Sequence, residues 1–576
     1  MKNIFKVSRY FLCLLFMVTT LFAKVTKIDV ISFNDFHGNV AEDTREKGKN
    51  IGMAKMVGYV NAAREANPNT IVVSGGDNYQ GTAISNLTFG APVSKMMKAM
   101  KLTASAVGNH EFDWGSDRIV EWSKEGNFDY LASNIYDKTT GQPVTWAKPY
   151  KIIDVDGVKV ALIGLATEQT QYQTKAEFVK NLEFKPAQEA AAYWVDYLKS
   201  GKAKEGKPDI IIALTHIPSQ QDKSQVIEGE ELDRLTKVDG IDAVVTGHSH
   251  RTVSGVMNGK PVVQAYKYGR ALGKLHIVVE DGKVVEITPA VDMVSNNKSD
   301  IIPDAQATQD LQKQTDELSG VLGEKLGTLN GDLSHNRAGS LTPLGYWATD
   351  VMRKYTNAQV GLTNGGGLRR TLYKGDITMG DLYEIMPFDN QVVVAKVTGK
   401  QLRQLIDHGI GADYMSDGQF AGLKVTYDPS KPYEHRIVSI ALEDGTPIKD
   451  DEIYTVATND FIVTGGDRYD FTGAKEVKDL FIPIRDILVE NIKANKGIAI
   501  PDISDVLVAV EQPAVQPKPV EVVKGSSQNV YIVEKNDTLK KIAEKNNTTV
   551  EKLIKANNFK NPNIIYIGEQ ILIPAV

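Results

Sequence analysis

Five short motifs in the first half of the chain contain residue types that bind divalent metal ions. They are Asn34-Asp35-Phe36-His37-Gly38, Gly75-Gly76-Asp77, Gly108-Asn109-His110-Glu111, Thr215-His216 and Gly247-His248-Ser249-His250. Imidazole, carboxylate and amide oxygen suit borderline or hard divalent ions. A carboxylate that bridges two such ions helps to lower the pKa of a shared water and to clamp an in-line phosphoryl displacement. A single histidine of this kind is more often structural, but five motifs together predict a two-metal hydrolase.

The elements that must position these motifs alternate between strands and helices. The strand candidates are Ile28–Ser32, Thr70–Ser74, Lys159–Gly164, Asp209–Thr215 and Ala243–Thr246, and helix candidates between them include Met53–Glu65, Ala91–Met100 and Ala187–Lys199. A hairpin is predicted around Asp281-Gly282. Such alternation indicates a layered α/β domain. Because ligands gather at the carboxyl ends of strands in these sheets, five loops could deliver their side chains to one place.

Differences in composition divide the chain into several segments. We expect a first domain over 24–303, a polar linker helix over 304–328 and a second mixed α/β domain over 329–510. Residues 511–528 contain three prolines and a Gly-Ser-Ser end, which predicts an extended spacer. A small domain over 529–576 closes the chain.

The composition of the 576 residues is that of a globular protein, with 42% hydrophobic and 24% charged residues. This excludes a mostly disordered, collagen-like or disulfide-scaffold protein. The net charge of −6 gives no electrostatic reason to expect a nucleic acid polymer as partner. The single cysteine, Cys13, cannot form an intrachain disulfide.

Residues 1–23 have the layout of a secretory signal peptide. Lys2, Lys6 and Arg9 form a basic start, an apolar run follows, and Ala23 provides a small residue at the expected cleavage site. Cleavage would leave 63 basic and 72 acidic residues, a charge of −9 and no cysteine. An uncleaved membrane anchor is the alternative. We expect an exported protein, periplasmic or associated with the cell wall, without membrane attachment after cleavage.

The metal-binding motifs resemble the calcineurin-like metallophosphoesterase family in order and spacing. Over residues 27 to about 505 the chain resembles bacterial 5′-nucleotidases of the UDP-sugar hydrolase type. The resemblance implies two divalent ions, Zn or Mn, one held by Asp35, His37 and His250, the other by Asn109, His216 and His248, with Asp77 as the bridge. It also implies that His110 faces the phosphate and stabilises the transition state or the leaving oxygen. Asp113 would orient His110, or would instead be a helix N-cap.

The second domain has three motifs that resemble the nucleoside-binding motifs of 5′-nucleotidases, at Leu362–Arg369, Pro387–Asn390 and Phe461–Asp467. The substrate-binding residues that this implies are Arg337, Asn364, Arg369, Phe388, Asn390, Phe461 and Asp467. Phe388 and Phe461 would hold the nucleobase between their rings, although a single phenylalanine is more often part of a core. Arg337 departs from the family pattern, because it lies eight rather than seven residues before Gly345.

Residues 531–574 resemble one lysin-motif (LysM) domain. The pattern predicts a strand at Tyr531–Glu534, a helix after Asp537-Thr538, a second helix from Thr549 and a strand at Gln570–Ile573. Val550, Leu553 and Ile554 are expected to face inward. The resemblance implies binding to glycans that contain N-acetylglucosamine, in bacteria usually peptidoglycan. A plain folding or dimerisation module is the alternative.

The expected fold class is therefore α/β, with a layered metallophosphoesterase β-sandwich flanked by helices, a second α/β nucleoside-binding domain and a small βααβ LysM module. The function that the resemblance implies is a 5′-nucleotidase, which could also hydrolyse UDP-sugars, tethered to peptidoglycan. Alternatives are a 2′,3′-cyclic-nucleotide 2′-phosphodiesterase/3′-nucleotidase, a thiosulfohydrolase-like enzyme on the same fold, and a non-enzymatic wall-binding protein. The pair Phe388 and Phe461 favours a nucleoside substrate, and the presence of every expected metal ligand argues against the non-enzymatic alternative.

Overall fold

A computed structural model describes residues 24–43, 49–335, 341–411, 418–510, 529–533, 537–557 and 570–574. The predicted signal segment 1–23, Arg337 and the proline-rich segment 511–528 lie outside the described residues. The chain divides into two compact units, Met1–Val508 and Ala509–Val576. No helix in the described ranges combines the length and the apolar character needed to cross a membrane.

Two six-stranded sheets form the centre of the first half of the chain. In spatial order, the strands of the first sheet are Lys283–Asp292, Leu272–Glu280, Val25–Phe33, Thr70–Ser74, Ala104–Ala106 and Asp129–Leu131. Those of the second sheet are Thr252–Met257, Lys260–Ala265, Ala243–Val245, Ile210–His216, Val158–Ala166 and Tyr150–Val155. The central strands of each sheet pair in parallel. Their carboxyl ends therefore lie at a common edge, where the loops that follow them can meet.

The two sheets pack face to face through apolar side chains. Val30 and Val73 of the first sheet and Leu162 and Ile212 of the second belong to one fully buried core. Helices cover the outer faces: Gly52–Ala66, Ala91–Ala99 and Ser116–Gly126 on the first sheet, and Ala187–Lys199 and Glu230–Thr236 on the second. The first half is thus a sandwich of two sheets between two helical layers, which confirms the predicted class.

The helix Ala305–Leu322 leads from the first half of the chain into the second. It begins at Asp304, whose side chain accepts a hydrogen bond from Ala307 N (2.9 Å), as expected for an N-cap. Ala307 is buried among the helices of the first half. A helix is present as predicted, but it ends at Leu322 rather than at residue 328, because residues 325–328 belong to the strand Lys325–Leu329.

A five-stranded sheet organises the second half. Its strands in spatial order are Gly418–Ala421, Val360–Asn364, Ile453–Asn459, Gln391–Thr398 and Lys475–Pro483. The larger helices packed around it are Pro343–Thr356, Met379–Ile385, Gly399–His408 and Ile484–Asn495. Two three-stranded sheets complete this half, with strands Gly375–Thr378, Lys325–Leu329 and Gly497–Ile498, and strands Ile437–Leu442, Leu423–Tyr427 and Leu507–Ala509.

The second unit has the order strand, helix, helix, strand. Strands Asn529–Ile532 and Gln570–Ile573 pair antiparallel. The helices Leu539–Lys545 and Val550–Ala556 begin at Thr538 and Thr549, whose hydroxyls accept hydrogen bonds from backbone amides. Its small core contains Val533, Leu539, Ile542, Ala543, Leu553, Ile571 and Ile573. The prediction that Ile554 faces inward is wrong: this side chain is 38% exposed, because the adjacent Leu553 takes the inward position.

Candidate dinuclear metal centre and substrate cleft

The residues predicted to bind metal lie at the carboxyl ends of five strands of the sandwich. Asp35 and His37 follow Val25–Phe33, Asp77 follows Thr70–Ser74, Asn109 follows Ala104–Ala106, His216 ends Ile210–His216, and His248 and His250 follow Ala243–Val245. All of these side chains except that of His250 are buried. The structure therefore brings together side chains that are up to 215 positions apart in the sequence.

The backbone at most of these positions is in the left-handed region. Positive φ angles occur at Asp35 (50°), His37 (49°), Asp77 (56°), His248 (75°) and His250 (54°). Non-glycine residues rarely adopt such angles, and strain of this kind is retained mainly at functional sites. Neighbouring glycines provide space, since a Cβ on Gly108 would lie 2.2 Å from Asp77 Oδ1.

The first ligand cluster consists of Asp35, His37 and His250. The Nε2 atoms of His37 and His250 are 3.1 Å apart, and Asp35 Oδ1 lies 3.3 Å from His250 Nε2. His37 Nδ1 is 2.9 Å from the carbonyl oxygen of Gln80. If Nδ1 carries the proton and donates it to this carbonyl, the lone pair of Nε2 points into the cluster.

The second ligand cluster consists of Asp77, His216 and His248. His248 Nδ1 lies 3.1 Å from both Asn109 Oδ1 and His216 Nε2, so the predicted amide ligand is also in place. Asp77 Oδ2 is 3.1 Å from His216 Nε2 and 3.8 Å from His37 Nε2. Asp77 therefore stands between the two clusters, where a bridging carboxylate is required.

These residues fit a pair of divalent ions. Asp35 Oδ1 is buried and accepts no hydrogen bond from any described residue, although burying a carboxylate oxygen without a partner is costly. The other oxygen, Asp35 Oδ2, accepts hydrogen bonds from Asn34 Nδ2 (2.5 Å) and His248 N (3.0 Å). The carboxylate is thus held so that one oxygen is left for a cation. The donor set consists of carboxylates, imidazoles and one amide and contains no sulfur, which suits borderline or hard divalent ions.

The ionisation of these groups also indicates competition between protons and a cation. Burial raises the pKa of Asp35 to about 7. Burial opposes ionisation of Asp77 as well, but attraction to His216 and other histidines is stronger and keeps the pKa of Asp77 well below its usual value. Burial lowers the pKa of His216, yet Asp77 outweighs this and raises it to about 9. A divalent ion would take the place of the proton on His216.

His110 lies beside both clusters on the short 3-10 helix Asn109–Phe112. Its Nδ1 is 2.8 Å from Asp113 Oδ2, and its backbone N–H donates to Asp77 Oδ1 (2.9 Å). Burial lowers the pKa of His110, but Asp113 and Asp77 outweigh this effect and raise it. The predicted pairing of His110 with Asp113 is present. His110 also forms a possible ligand group with His37 and Asp77, so its role as a non-ligand stays a prediction.

Glu111 is a site residue to which the sequence analysis assigned no role. Its fully buried carboxylate accepts hydrogen bonds from the backbone N–H groups of Gly108 (2.7 Å), Asp77 (2.8 Å) and Asn78 (2.9 Å). Burial raises the pKa of Glu111 to about 7. The side chain joins two ligand loops, and its position directly after His110 was the available sequence indication.

A cleft of about 740 Å³, its open mouth included, joins this region to the second half of the chain. The predicted site residues that line it are Asn109, His110, Asp113, Asn364, Arg369, Phe388, Asn390, Phe461 and Asp467. Six of the seven predicted substrate-binding residues are therefore in one cleft, and the seventh, Arg337, lies outside the described residues.

Contacts within the cleft link His110 of the first half to the predicted substrate-binding residues of the second half, and link those residues to one another. The ring of Phe388 stacks on His110 with a centroid distance of 5.5 Å, and the guanidinium of Arg369 lies 5.4 Å from the Phe388 centroid. Asn364 Nδ2 donates to Asp467 Oδ2 (2.6 Å). A Cβ at position 466 would lie 2.5 Å from the ring of Phe461, so glycine is needed there for this ring to approach the backbone.

Three polar contacts that the sequence did not predict connect the halves around the cleft. Lys175 Nζ pairs with Asp460 Oδ2 (2.8 Å), Asn86 Nδ2 donates to the carbonyl of Pro387 (2.7 Å), and the Asp467 amide donates to the carbonyl of Tyr172 (2.9 Å). Trp114, Gln173 and Thr174 also line the cleft. Pro387 and Asp467 belong to motifs of the second half, whereas the other contacting and lining residues do not: Asn86, Trp114, Tyr172, Gln173, Thr174, Lys175 and Asp460.

Sequence models of three protein families match the chain. They are the calcineurin-like phosphoesterase at residues 28–252, the 5′-nucleotidase C-terminal domain at 325–475 and the LysM domain at 531–574. Endonuclease YhcR of Bacillus subtilis is 31% identical over 77% of this chain and 37% of the relative. A 5′-nucleotidase of Vibrio cholerae is 27% identical over 77% of this chain and 86% of the relative.

The chain spans little more than a third of the length of the first curated relatives it matches. Among solved structures, a 5′-nucleotidase precursor from Thermus thermophilus superposes with a TM-score of 0.73 at 23% identity, covering 85% of this chain and 100% of the other. At this identity the likeness concerns the fold alone.

Proposed function

The chain contains a calcineurin-like phosphoesterase domain, a 5′-nucleotidase C-terminal domain and a LysM domain, and we propose that it is an exported, metal-dependent phosphohydrolase that releases phosphate from nucleotides. The observation that carries this proposal is the shared cleft. Its walls include His110 beside the ligand clusters and, from the other half of the chain, Phe388 and Phe461. A phosphate at the clusters and a nucleoside between the halves would fit one continuous site.

Two divalent ions, Zn or Mn, would be held by Asp35, His37, Asp77, Asn109, His216, His248 and His250. When bound, such ions supply an activated water and neutralise charge on the phosphoryl group. Asp113 orients His110 through Nδ1, so that Nε2 can carry the proton that the leaving oxygen needs. The guanidinium of Arg369, which lines the cleft, suits contact with phosphate oxygens.

The nucleoside would be recognised by residues of the second half. Phe388 and Phe461 offer ring faces, and stacking on an aromatic side chain contributes roughly 1–3 kcal/mol per base. Asn390 would contact the base and Asp467 the ribose hydroxyls. Such a site serves AMP and other nucleotides, and UDP-sugars are a further candidate because they carry the same nucleoside-phosphate portion.

The LysM domain supports association with the cell wall through peptidoglycan. Residues 1–23 would direct export and would then be removed. The domain would afterwards hold the enzyme at the wall. None of the residues assigned to hydrolysis or nucleoside binding belongs to the unit Ala509–Val576, so tethering and hydrolysis are expected to be separable.

Product analysis over a substrate panel tests the proposal, with orthophosphate, pyrophosphate, nucleoside, nucleotide and sulfate each measured. Metal-free protein is assayed with AMP, UDP-glucose, ATP, 2′,3′-cyclic AMP and a thiosulfate ester after addition of Zn²⁺ or Mn²⁺. We expect fast release of adenosine and orthophosphate from AMP with at least one of these ions. If the fully metallated protein hydrolyses only the cyclic nucleotide or only the thiosulfate ester, the corresponding alternative enzyme replaces this proposal. Inactivity of the metallated protein on every substrate favours a non-enzymatic wall-binding protein.

A further inference from the structure

A second cavity borders the first ligand cluster, with His37 and His250 in its wall. Arg369 lines both this cavity and the substrate cleft, so the two spaces meet at its side chain. The basic residues in the wall of the second cavity are Arg251, Lys267, Arg270, Arg369 and Arg370, and the acidic ones are Asp43 and Glu384. Both acidic residues pair with Arg370, at 2.8 and 2.5 Å. Among the described residues of this wall, basic side chains outnumber acidic ones beside the candidate metal ligands.

A strained loop brings part of this charge close to the ligands. Tyr266 and Tyr268 have φ angles of 60° and 59°, which are unfavourable for bulky side chains. The Tyr268 amide donates to the carbonyl of Asp35 (2.8 Å). Its ring packs edge-on against His37 and His250, with centroid distances of 5.8 and 5.7 Å. The surrounding structure thus maintains the strained loop directly against the first ligand cluster, as is typical of functional sites.

The same tyrosine positions two cations. Lys267 Nζ lies 4.7 Å and Arg270 Cζ 5.4 Å from the centroid of the Tyr268 ring, within the range of cation–π attraction. Loss of conformational freedom is a main cost of binding an anion with long basic side chains. Holding Lys267 and Arg270 on a ring that itself packs on His37 and His250 reduces this cost.

We propose that the second cavity binds an anionic phosphoryl group that extends beyond the reacting phosphorus, so that the enzyme cleaves nucleoside triphosphates between the first and second phosphorus. This inference rests on the proposed function. The nucleoside and first phosphate would occupy the cleft, the second phosphorus would lie at the ligand clusters, and the third phosphate would contact Lys267 and Arg270. AMP has no group that reaches this cavity.

The reaction consumes one water per bond broken. The oxygen of the water forms a bond with the second phosphorus, and the bond from that phosphorus to the bridging oxygen breaks. The bridging oxygen leaves with its electron pair as part of AMP, and His110 is positioned to protonate it. The products from ATP are AMP and pyrophosphate. Attack on the terminal phosphorus would instead give ADP and orthophosphate, so the first products distinguish the two binding modes.

The experiment compares the full-length, metal-loaded protein with three variants. Lys267→Met removes the cation, Lys267→Arg keeps it, and Lys283→Met removes an exposed lysine of the hairpin that does not line the cavity. AMP, ADP, pyrophosphate and orthophosphate from ATP are measured at early times. Binding of α,β-methylene-ATP and α,β-methylene-ADP is measured by calorimetry, since neither can be cleaved between the first two phosphorus atoms.

We expect pyrophosphate and AMP as the main first products of the unmodified protein. Lys267→Met should lower the ratio of pyrophosphate to orthophosphate by about tenfold, as expected for a lost hydrogen bond to a charged group. It should lower the affinity for the ATP analogue by the same factor and leave the affinity for the ADP analogue unchanged. Lys267→Arg and Lys283→Met should change neither quantity appreciably.

Two results would overturn the inference: ADP and orthophosphate as the first products, or an unchanged product ratio and unchanged analogue affinity in Lys267→Met. Failure of the proposed function has a different signature, because it would abolish phosphate release from AMP. In that case the comparison of the two analogues still decides whether the cavity binds the third phosphate.

Discussion

Replacing His110 by alanine should lower the rate of AMP hydrolysis by about 10²–10⁴-fold, the range expected for loss of a positioned acid–base group, while both metal ions remain bound. His110 Nδ1 is engaged by Asp113 at 2.8 Å, and its ring stacks on Phe388. The imidazole thus faces the substrate cleft, where a leaving oxygen would be. Its removal eliminates the protonation of that oxygen but deletes none of the seven proposed ligands.

The loss of rate expected on replacing Asp113 depends on its supporting role, because its side chain would act on the reaction only through His110. Asp113→Asn keeps the shape of the side chain but removes the negative charge that holds the His110 ring in one orientation. Substitution of such a supporting residue typically costs about 10–100-fold. Because Asp113 is expected to act through His110, the double variant should be no slower than His110→Ala alone. Independent roles would instead give roughly additive losses in activation free energy.

The assay is a double-mutant cycle on kcat for AMP, combined with metal analysis of each purified variant. The decisive quantity is the number of ions per chain in His110→Ala. His110 groups with His37 and Asp77 closely enough to be a ligand, so loss of an ion in this variant would show that it binds metal. Two retained ions with a nearly normal rate would refute its role in protonation.

Four further predictions address other parts of the molecule. Asp77→Asn should lose up to two ions and nearly all turnover, measured by metal analysis and AMP hydrolysis, because it removes the bridging charge. Phe388→Leu and Phe461→Leu should raise KM for AMP far more than for p-nitrophenyl phosphate, which has no base to stack. Glu111→Gln should lower the free energy of unfolding by about 1–3 kcal/mol for each amide left without an acceptor, measured by denaturant titration. A chain that ends at residue 510 should keep full activity but no longer co-sediment with peptidoglycan.

Each of these predictions has a contradicting outcome. Two ions and a normal rate in Asp77→Asn would exclude a bridging role. Equal losses on both substrates would assign the two phenylalanines to core packing. Glu286→Gln, at an exposed position of the hairpin, is the control for Glu111→Gln, and equal stability of the two variants would refute the proposed support of the ligand loops. Wall retention of the truncated chain at the level of the intact one would exclude tethering by LysM.

The sequence predicts those parts of the fold that depend on local patterns. Thr70–Ser74 and Ala187–Lys199 have the predicted boundaries, because a continuous β-branched run and an amphipathic helix are evident over their own length. Strands Ala104–Ala106 and Asp129–Leu131 were not predicted. With three residues each, they are stabilised by neighbouring strands in the sheet rather than by their own pattern.

The candidate metal ligands could be recognised in the sequence because each lies in a short motif at or directly after the end of a strand, and parallel strands bring such loops to one edge. The contacts that close the cleft could not be found in this way. Lys175 and Asp460, for example, are 285 positions apart and occur in unremarkable local sequences. Which charged residues meet across two halves depends on how the halves pack, and no local pattern encodes that arrangement.

The geometry of the ligands and the position of Glu111 have one physical explanation. Left-handed backbone at Asp77 and other ligands costs about 1–3 kcal/mol at each such residue, so the native state must contain interactions that offset this strain. The carboxylate of Glu111 supplies them at the Asp77 turn, since it accepts the amides of Asp77, Asn78 and Gly108. Asn34 and the His248 amide hold Asp35 in the same way. The ligands are therefore fixed by the protein itself, and a cation would bind to side chains that need little rearrangement.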